Sequence, residues 1–168
     1  MGWIFCPVDD KRVIRDNFDC GVTELNEYLL QYAKQNHNKG IAKTWVAISE
    51  QKNGEVAGYY SISMASLQRE SLPSNYRQGL PRYPLPVIRL GKLAVTRSIQ
   101  NQGLGEMLLI NAFNRGVKLS QYIGMLGVIV DALNKQAKRF YLKYGFIELE
   151  DNTLSLFIPL KKILEALS

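Results

Sequence analysis

A glycine-containing turn between an apolar segment and an amphipathic one carries the most specific chemical signal in the chain. Val87–Val95 is short, apolar and rich in β-branched residues, which predicts a buried strand. A polar turn, Thr96–Gln102, comes next, and residues 103–119 continue with apolar side chains at helical spacing: Leu104, Met107, Leu108, Ala112 and Phe113. Backbone N–H groups at a helix start lack intrahelical partners and, with the helix dipole, favour an anion such as phosphate. A tight strand-to-helix corner without any ligand is the alternative interpretation.

Two motifs relate this turn to a known family. The turn contains Gln100-Asn101-Gln102-Gly103-Leu104-Gly105, which matches the Q/R-x-x-G-x-G/A loop of GNAT-type N-acetyltransferases. One helix and one strand later, a second segment resembles the family pattern N-x-x-A-x-x-F-Y-x-x-x-G-F; it is Asn134-Lys135-Gln136-Ala137-Lys138-Arg139-Phe140-Tyr141-Leu142-Lys143-Tyr144-Gly145-Phe146. Because both motifs occur in the family's order, the chain is identified as a member of this family.

The resemblance implies a co-substrate and the residues that hold it. Enzymes of this family use acetyl-CoA, and their glycine loop binds its diphosphate; the matching positions here are Gln100, Asn101, Gln102, Gly103, Leu104 and Gly105. The family's acetyl-CoA-binding strand corresponds to Leu93, Ala94 and Val95. Asn134 is expected to contact the pantetheine or to order the site, and it also suits the N-cap of the following helix. No metal ion is expected.

Transfer of an acetyl group from a thioester to an amine requires three conditions. Negative charge on the acetyl carbonyl needs a donor, which the resemblance places at a backbone N–H near Leu93 to Val95. The departing thiolate needs a proton, and the resemblance assigns Tyr141 as the general acid; a phenol is protonated at neutral pH. The attacking amine must be neutral, and an α-amino group titrates near pH 8, so a strong base is not required. Packing of Tyr141 as a core aromatic is the alternative.

Further segments resemble the GNAT toxins of bacterial toxin–antitoxin pairs. They are Phe18-Asp19-Cys20-Gly21, Gly58-Tyr59-Tyr60-Ser61 and Leu90-Gly91-Lys92-Leu93-Ala94-Val95. The resemblance implies acetylation of the α-amino group of aminoacyl-tRNA, a ribbon–helix–helix antitoxin as partner, and a homodimer. This chain has Lys92 where those toxins commonly have arginine, so the positive charge is kept and the bidentate fork is lost.

Positive charge is concentrated in the middle of the sequence. The net charge is +6, and residues 31–100 carry ten basic and three acidic side chains. A clustered basic excess favours a polyanionic partner, although a solvated basic surface is common. The hypothesis for tRNA contact comprises seven of these residues: Lys34, Lys39, Lys43, Arg77, Arg82, Arg89 and Lys92.

Length and composition predict one globular domain spanning residues 1–168. No apolar run is long enough to span a membrane, and no export signal is recognisable at the N-terminus, which carries Asp9 and Asp10. Cys6 and Cys20 show neither metal-ligand nor disulfide-framework spacing, as expected in a reducing compartment. The predicted location is therefore the cytoplasm.

The elements around the turn predict an α/β (α+β) fold. The expected arrangement is the GNAT one: a single mixed central sheet with helices on both faces and a splayed central parallel strand pair, Val87–Val95 with Tyr122–Val130. Residues 44–49 and 55–63 should form a hairpin through the Asn53-Gly54 turn, with a bulge at Gly58. A helix should end near Tyr144 before a left-handed Gly145, and two closing strands should cover residues 146–149 and 154–160.

The N-terminal part of the sequence predicts one amphipathic helix and a polar connection. The helix should begin with Thr23 as N-cap and present an apolar face of Leu25, Leu29 and Tyr32. The basic stretch after it should be a connection with His37 at the surface. The proline-rich segment 67–86 is either a ligand-contacting loop or a disordered surface loop.

Two other functions remain open at this stage. An N-acetyltransferase for a small amine or a protein N-terminus would share the glycine loop without needing the basic centre. A non-catalytic binding module would keep only the fold, but the intact glycine loop and Tyr141 argue against it. Tyr59 and Tyr60 either line the acceptor pocket or pack in the core.

Overall fold

The computed structural model describes residues 2–168, apart from the side chain of Glu50. The strands, in chain order, are β1 (Ile4–Pro7), β2 (Lys43–Ile48), β3 (Val56–Leu67), β4 (Leu85–Val95), β5 (Gly127–Asp131), β6 (Ile147–Glu148) and β7 (Ser155–Pro159). The α-helices are α1 (Thr23–Glu27), α2 (Ala33–Lys39), α3 (Ser74–Arg77), α4 (Leu104–Ser120), α5 (Lys135–Leu142) and α6 (Leu160–Leu167). A π-helical turn covers Tyr28–Tyr32, and 3₁₀ turns cover Glu50–Lys52, Arg69–Ser71 and Arg97–Ile99.

The strands form one mixed sheet in the order β1-β2-β3-β4-β5-β7-β6. Strands β4 and β5 are parallel, and their register runs from Ile88 opposite Val128 to Leu90 opposite Val130. Strands β1 and β2, β2 and β3, β5 and β7, and β6 and β7 pair antiparallel. The α/β (α+β) class and the parallel pair are confirmed, and the short parallel register is what a splayed pair requires.

The chain forms two compact units. Unit 1 contains the chain up to Ser63 together with Gly91–Ala112, and unit 2 contains Met64–Leu90 and Phe113–Ser168. The core of unit 1 includes Phe18, Leu29, Val46, Ile48, Tyr59 and Ala94. The core of unit 2 includes Leu67, Leu72, Val87, Ile129, Leu149 and Phe157. Burial of the valine, leucine, isoleucine and phenylalanine side chains among them contributes roughly 1.5–3 kcal/mol each.

The hairpin of unit 1 agrees with the sequence prediction. Asn53 and Gly54 have φ values of +55° and +84°, as the Asn-Gly signal predicts. Ala47 lies opposite Gly58 and Ile48 lies opposite Val56, so β3 carries one extra residue, and the predicted bulge is present.

The helical region of unit 1 differs from its prediction. Thr23 is the first helical residue, and the N-cap position is Val22, which offers no capping side chain. The wider π-helical turn changes the angular spacing after Tyr28, so Tyr32 is 51% exposed instead of completing the apolar face with Leu29. The expected polar connection is mostly helix α2, and His37 is buried, with 8% of its surface exposed.

In unit 2, the fifth strand is shorter than predicted. It begins at Gly127, and residues 122–126 lie outside it; Tyr122 is 89% exposed. A buried strand was predicted there because apolar residues run without interruption, and such a run does not mark where pairing starts. The segment 67–86 contains two short helical pieces, so it is not an irregular loop throughout. Helix α6 was not predicted.

Candidate functional site

The turn between β4 and α4 offers a row of unpaired backbone donors. Asn101 and Gly103 have left-handed φ values of +64° and +89°. The first helical bond beyond the turn is donated by the N–H of Met107 to the oxygen of Gly103. The backbone N–H groups of residues 101–106 form no hydrogen bond within residues 2–168. Residues 101–103 are exposed, so the donors of these three residues are accessible to an anion from solvent.

Gly103 is required by its backbone conformation. A side chain at φ +89° is strained, although an added Cβ would meet no atom within 4 Å. Because that space is open, a ligand can approach the backbone at this point. The turn therefore fits the diphosphate of acetyl-CoA, as the sequence motif predicts.

Helix α4 is seated against the sheet by a close approach. Leu104 and Leu108 are fully buried, whereas Met107, predicted on the same face, is exposed. A Cβ added to Gly58 would lie 3.0 Å from the oxygen of Ala94 and 2.8 Å from Cδ1 of Leu108. Only glycine therefore allows the first turns of α4 to pack on β3 and the end of β4.

The end of β4 carries the three residues predicted on the acetyl-CoA-binding strand. Ala94 is buried in the core of unit 1, and Leu93 and Val95 are half-buried. The next residue, Thr96, donates its N–H to the oxygen of Ala57 at 2.8 Å. This segment therefore leads directly into the turn with the unpaired donors.

The side chain of Gln100 forms two hydrogen bonds with the backbone. Its Nε2 donates to the oxygen of Val95 at 2.8 Å and to the oxygen of Cys20 at 3.0 Å. Both N–H donors of the side chain are thereby used, and the remaining Oε1 is an acceptor that repels phosphate. The side chain that is predicted to hold the diphosphate therefore binds two backbone oxygens in this structure.

Residues 18–21 bind the start of the same turn, and sequence analysis gave them no role. Arg97 donates its N–H to the oxygen of Asp19 at 2.8 Å. Thr96 Oγ1 donates to that oxygen at 3.2 Å and accepts from the N–H of Asp19 at 3.2 Å. We call these contacts, with the bond from Gln100 to Cys20, the Asp19 tie. The only signal for it in the sequence was the Phe18–Gly21 segment quoted for the family resemblance.

The Asp19 carboxylate shapes its own turn. Its Oδ1 accepts from the N–H of Gly21 at 2.9 Å and from Nδ2 of Asn26 at 3.0 Å. Its Oδ2 lies 3.8 Å from Nε of Arg97. The backbone N–H of Gly21, then Asn26 and finally Arg97 lower the pKa of Asp19 below that of an ordinary carboxyl. The carboxylate therefore remains ionised near neutral pH.

In unit 2, helix α5 holds the two other predicted site residues. Asn134 caps the helix, as predicted: its Oδ1 accepts from the N–H of Ala137 at 2.9 Å. Tyr141 is 6% exposed, and its ring makes edge contacts with Phe140 and Phe146 at centroid distances of 5.1 and 5.3 Å. Beyond the helix, Gly145 has φ +100°, as predicted.

The hydroxyl of Tyr141 forms no hydrogen bond with any residue from 2 to 168, although the ring is packed. Burial raises the pKa of Tyr141 above that of an ordinary phenol, so the group stays protonated throughout the physiological pH range. It can therefore act as a proton donor. The ring of Tyr141 packs among other aromatic side chains, and its hydroxyl is still available to donate a proton.

Some of the predicted tRNA-contacting residues form hydrogen bonds within the chain, and others are exposed. Lys34, Lys39, Lys43 and Lys92 belong to unit 1, and Arg77, Arg82 and Arg89 belong to unit 2. Arg77 donates to the oxygens of Leu72 and Glu70, and Arg89 donates to Asp131 at 2.6 Å. These two arginines have structural partners, whereas Lys34, Lys39 and Arg82 are exposed.

Lys43 and Lys92 are intermediate cases. Lys43 is exposed and donates to the oxygen of His37 at 2.9 Å. Nζ of Lys92 lies 4.6 Å from the ring centroid of Tyr28, a cation–π contact. Both ammonium groups can still attract phosphate, because neither is paired with a carboxylate in the described part of the chain.

Tyr59 and Tyr60 are core residues. Both are fully buried; the hydroxyl of Tyr59 donates to the oxygen of Leu25 at 2.7 Å, and that of Tyr60 donates to Oδ1 of Asn111 at 2.5 Å. The packing alternative is therefore the correct one for both tyrosines.

Residues 2–168 form neither a metal-ligand cluster nor a membrane-spanning helix. No group of three or more histidine, cysteine or acidic side chains in this range could hold a metal ion. None of the helices formed by these residues combines the length and the apolar character needed to cross a bilayer.

Comparisons with known proteins agree with the geometry. Residues 40–148 match the model of the family described as "Acetyltransferase (GNAT) domain". A "tRNA-acetylating toxin" of Mycobacterium tuberculosis (strain ATCC 25618 / H37Rv) is 33% identical over 145 residues, which cover 86% of this chain and 85% of that protein.

Solved structures give the same result. The crystal structure of a tyrosine-to-phenylalanine mutant of KacT has a TM-score of 0.93 and 32% identity, and the match covers 98% of this chain and 99% of that one. AtaT complexed with acetyl-methionyl-tRNAfMet has a TM-score of 0.91 and 31% identity, covering 99% and 100%. AtaTR bound with acetyl-CoA has a TM-score of 0.85 and 32% identity, covering 99% and 98%. With its glycine loop and seven-stranded mixed sheet, the chain belongs to the GNAT acetyltransferase family.

Proposed function

We propose that this chain is a toxin that transfers the acetyl group of acetyl-CoA to the α-amino group of aminoacyl-tRNA and thereby blocks translation. The observation that carries the proposal is the row of unpaired N–H groups at residues 101–106, which suits a diphosphate. The acceptor is proposed because the chain resembles a tRNA-acetylating toxin and the tRNA-bound AtaT over nearly its whole length. An acetylated α-amino group can no longer attack the ester carbonyl of peptidyl-tRNA, so elongation stops.

Acetyl-CoA supplies an activated acetyl thioester. The N–H groups of Asn101, Gln102, Gly103, Leu104 and Gly105 hold its diphosphate by charge-assisted hydrogen bonds. A backbone N–H among Leu93, Ala94 and Val95 stabilises the negative charge that develops on the acetyl oxygen. In this assignment, Gln100 acts on the backbone only, because its side-chain donors are already bound.

Tyr141 is the proposed general acid. Its hydroxyl is protonated and has no partner in residues 2–168, so it can donate a proton to the departing sulfur of the coenzyme. The α-amino group of an aminoacyl ester is a weak base and is largely neutral at physiological pH, so it attacks without a dedicated strong base. Asn134 caps α5 and orders the helix that carries Tyr141.

Four lysines and one arginine form the proposed tRNA contacts. Lys34, Lys39, Lys43, Lys92 and Arg82 are available to phosphates, whereas Arg77 and Arg89 support the fold of unit 2. Each phosphate neutralised releases counterions, so binding through these residues should weaken as salt is added.

We also propose the partners and the setting implied by the family. The chain acts as one GNAT domain over residues 1–168, forms a homodimer, and works in the cytoplasm, where charged tRNA is found. Its antitoxin is of the ribbon–helix–helix type. The AtaT and KacT structures that resemble this chain include complexes with the antitoxin AtaR and with DNA as KacTA, which supports an antitoxin partner.

Growth after induced expression tests the toxin proposal. We expect expression of the wild-type chain to arrest growth and the Tyr141→Phe variant, produced at the same level, to be harmless, because only the proton donor is removed. Arg82→Ala serves as a folded variant with a partial effect. Normal growth with abundant wild-type protein would contradict the proposal and would favour acetylation of a small amine or a protein N-terminus.

A further inference from the structure

The turn with the unpaired donors lies between two anchors of different kinds. On its C-terminal side, the buried Leu104 and Leu108 hold α4 in the core of unit 1. On its N-terminal side, Arg97, Ser98 and Gln100 are exposed, and Ile99 is the one buried residue of Thr96–Gln100. Burial on this side is limited to Ile99, and the hydrogen bonds of the Asp19 tie provide further anchoring.

The Asp19 tie joins residues that are far apart in sequence and very near one another in the structure. Three hydrogen bonds connect Asp19 with Thr96 and Arg97, and a fourth connects Gln100 with Cys20, a separation of 80 residues. The two bonds of Thr96 Oγ1 are solvent-exposed and the bond from Gln100 to Cys20 is half-buried, so each contributes about 0.5–1 kcal/mol. Together they fix where the turn leaves β4.

The carboxylate of Asp19 stabilises the turn whose backbone forms the Asp19 tie. It accepts from Gly21 and Asn26, and Oδ1 of Asn26 in turn accepts from the N–H of Cys20 at 2.9 Å. This arrangement aims the backbone oxygens of Asp19 and Cys20 at Arg97 and Gln100. The carboxylate is itself an anion, so it disfavours a bound diphosphate nearby and can only help binding through geometry.

We propose that the Asp19 tie holds the backbone of residues 95–100 so that the N–H groups of residues 101–106 stay unpaired and accessible before acetyl-CoA binds. Asp19 and Gln100 are then positioning residues of the acetyl-CoA site, and neither is a ligand of the diphosphate. The proposal rests on the proposed function, because the tie acts through the affinity of this turn for acetyl-CoA.

Four variants distinguish a positioning role of Asp19 and Gln100 from an effect of the Asp19 charge. Asp19→Ala removes the acceptor of Gly21 and Asn26, and Gln100→Met removes both side-chain donors at nearly constant shape. Asp19→Asn removes the charge and keeps an oxygen that can accept both bonds. Asp16→Ala removes an exposed carboxylate three residues away and outside the tie, so it is the matched control.

Binding of acetyl-CoA, measured by titration calorimetry, gives the first result. We expect the Kd to rise about tenfold, which is roughly 1.4 kcal/mol, for Asp19→Ala and for Gln100→Met. The Kd of Asp19→Asn should stay within about threefold of wild type, and Asp16→Ala should be unchanged. The KM for S-acetylpantetheine, which lacks the diphosphate, should be the same in all four variants, and kcat at saturating acetyl-CoA should not fall.

Hydrogen exchange of the protein without any ligand gives the second result. Amides of residues 95–106 should exchange faster in Asp19→Ala and Gln100→Met than in wild type, because a positioning residue acts before the ligand arrives. If Asp19→Ala does not fold, Thr96→Val, which removes both side-chain bonds of Thr96 to Asp19, replaces it.

Two results would overturn the proposal. Equal loss of affinity in Asp19→Asn and Asp19→Ala would show that charge matters and geometry does not. Unchanged affinity and unchanged exchange in Asp19→Ala and Gln100→Met would show that the tie is dispensable. If wild-type protein fails to bind acetyl-CoA, the proposed function fails, and the exchange comparison still decides whether the tie orders the turn.

Discussion

At the scale of single residues, the chemistry depends on one phenol and one glycine. Tyr141 combines a packed ring with a hydroxyl that has no partner in residues 2–168, which is unusual for a tyrosine kept only for packing. Gly103 holds a left-handed conformation with open space beside it, which lets an anion reach the backbone. The two residues can be tested separately, because one affects the rate and the other affects binding.

Replacement of Tyr141 by phenylalanine should remove the proton donor alone. We expect kcat to fall about 10²- to 10³-fold, while the Kd for acetyl-CoA stays the same. The melting temperature should change little, since the hydroxyl forms no hydrogen bond with residues 2–168. Single-turnover kinetics and calorimetry measure the two quantities. A variant with wild-type kcat would exclude Tyr141 as the acid.

Replacement of Gly103 by alanine should weaken acetyl-CoA binding. An L-residue at φ +89° costs about 1–2 kcal/mol, so the turn should relax and lose the arrangement of its N–H groups. We expect the Kd for acetyl-CoA to rise about tenfold. Gly79→Ala is the matched control: its φ is +78°, it also has open space, and it lies outside the turn. Similar affinities for the two variants would contradict the assignment of the turn.

At the scale of elements, the local parts of the site were predictable and the distant contacts were not. The glycine turn, the Asn134 cap and the Asn-Gly hairpin each depend on neighbouring residues, and each is present. The Asp19 tie joins residues about 80 positions apart, so no local pattern reveals it. The same limit explains why the bonds from the Gln100 side chain to the backbone were not predicted.

The π-helical turn accounts for the largest error in the elements. Sequence periodicity assumes 3.6 residues per turn, and the wider turn at Tyr28–Tyr32 breaks that assumption. Nη1 of Arg15 donates to the oxygen of Leu29 at 3.0 Å, in the middle of this turn. Beyond it, His37 enters the interior, where its Nδ1 accepts from the N–H of Thr44 at 3.0 Å.

His37 should make the stability of unit 1 depend on pH. Burial is the main cause of a lowered His37 pKa; Asp9, at 3.7 Å from Nε2, opposes this effect and Lys43 adds to it. The unfolded chain therefore binds a proton at higher pH than the folded one. We expect the free energy of unfolding to fall as pH drops below about 6.5, and to level off below the pKa of folded His37.

Urea unfolding of wild type and of His37→Asn between pH 7 and pH 5 checks this dependence. The asparagine oxygen can accept from Thr44, and it does not titrate in this range, so its curve should be flatter. Parallel curves for the two proteins would contradict the role of His37.

At the scale of the whole molecule, some of the basic residues form structural contacts, and others are proposed to bind tRNA. Arg77 and Arg89 form hydrogen bonds within unit 2, whereas the exposed Lys34 and Lys39 of unit 1 form no ion pair within residues 2–168. Composition and charge distribution predicted a polyanionic partner, but they could not separate these two groups, because the separation depends on side-chain contacts.

Reversal of charge at Lys34 and Lys39 should weaken tRNA binding and leave acetyl-CoA binding unchanged. We expect the Kd for tRNA to rise about tenfold or more, and the slope of log K against log salt to shrink by about 1 to 2. Lys118→Glu with Lys161→Glu is the control, because it changes the net charge equally at exposed positions outside the proposed surface. Filter binding at several salt concentrations measures both. Equal effects of the two pairs of substitutions would show that tRNA binding depends only on net charge, and would contradict the proposed contacts of Lys34 and Lys39.

The central claim is that the chain acetylates the α-amino group of aminoacyl-tRNA, and transfer of labelled acetyl tests it most directly. Wild-type protein is incubated with labelled acetyl-CoA and either charged or deacylated total tRNA, and the amino acids are then released by mild base. We predict label in N-acetyl amino acids from charged tRNA and none in deacylated tRNA. Label that remains on deacylated tRNA, or that appears only on free amines or proteins, would contradict the claim.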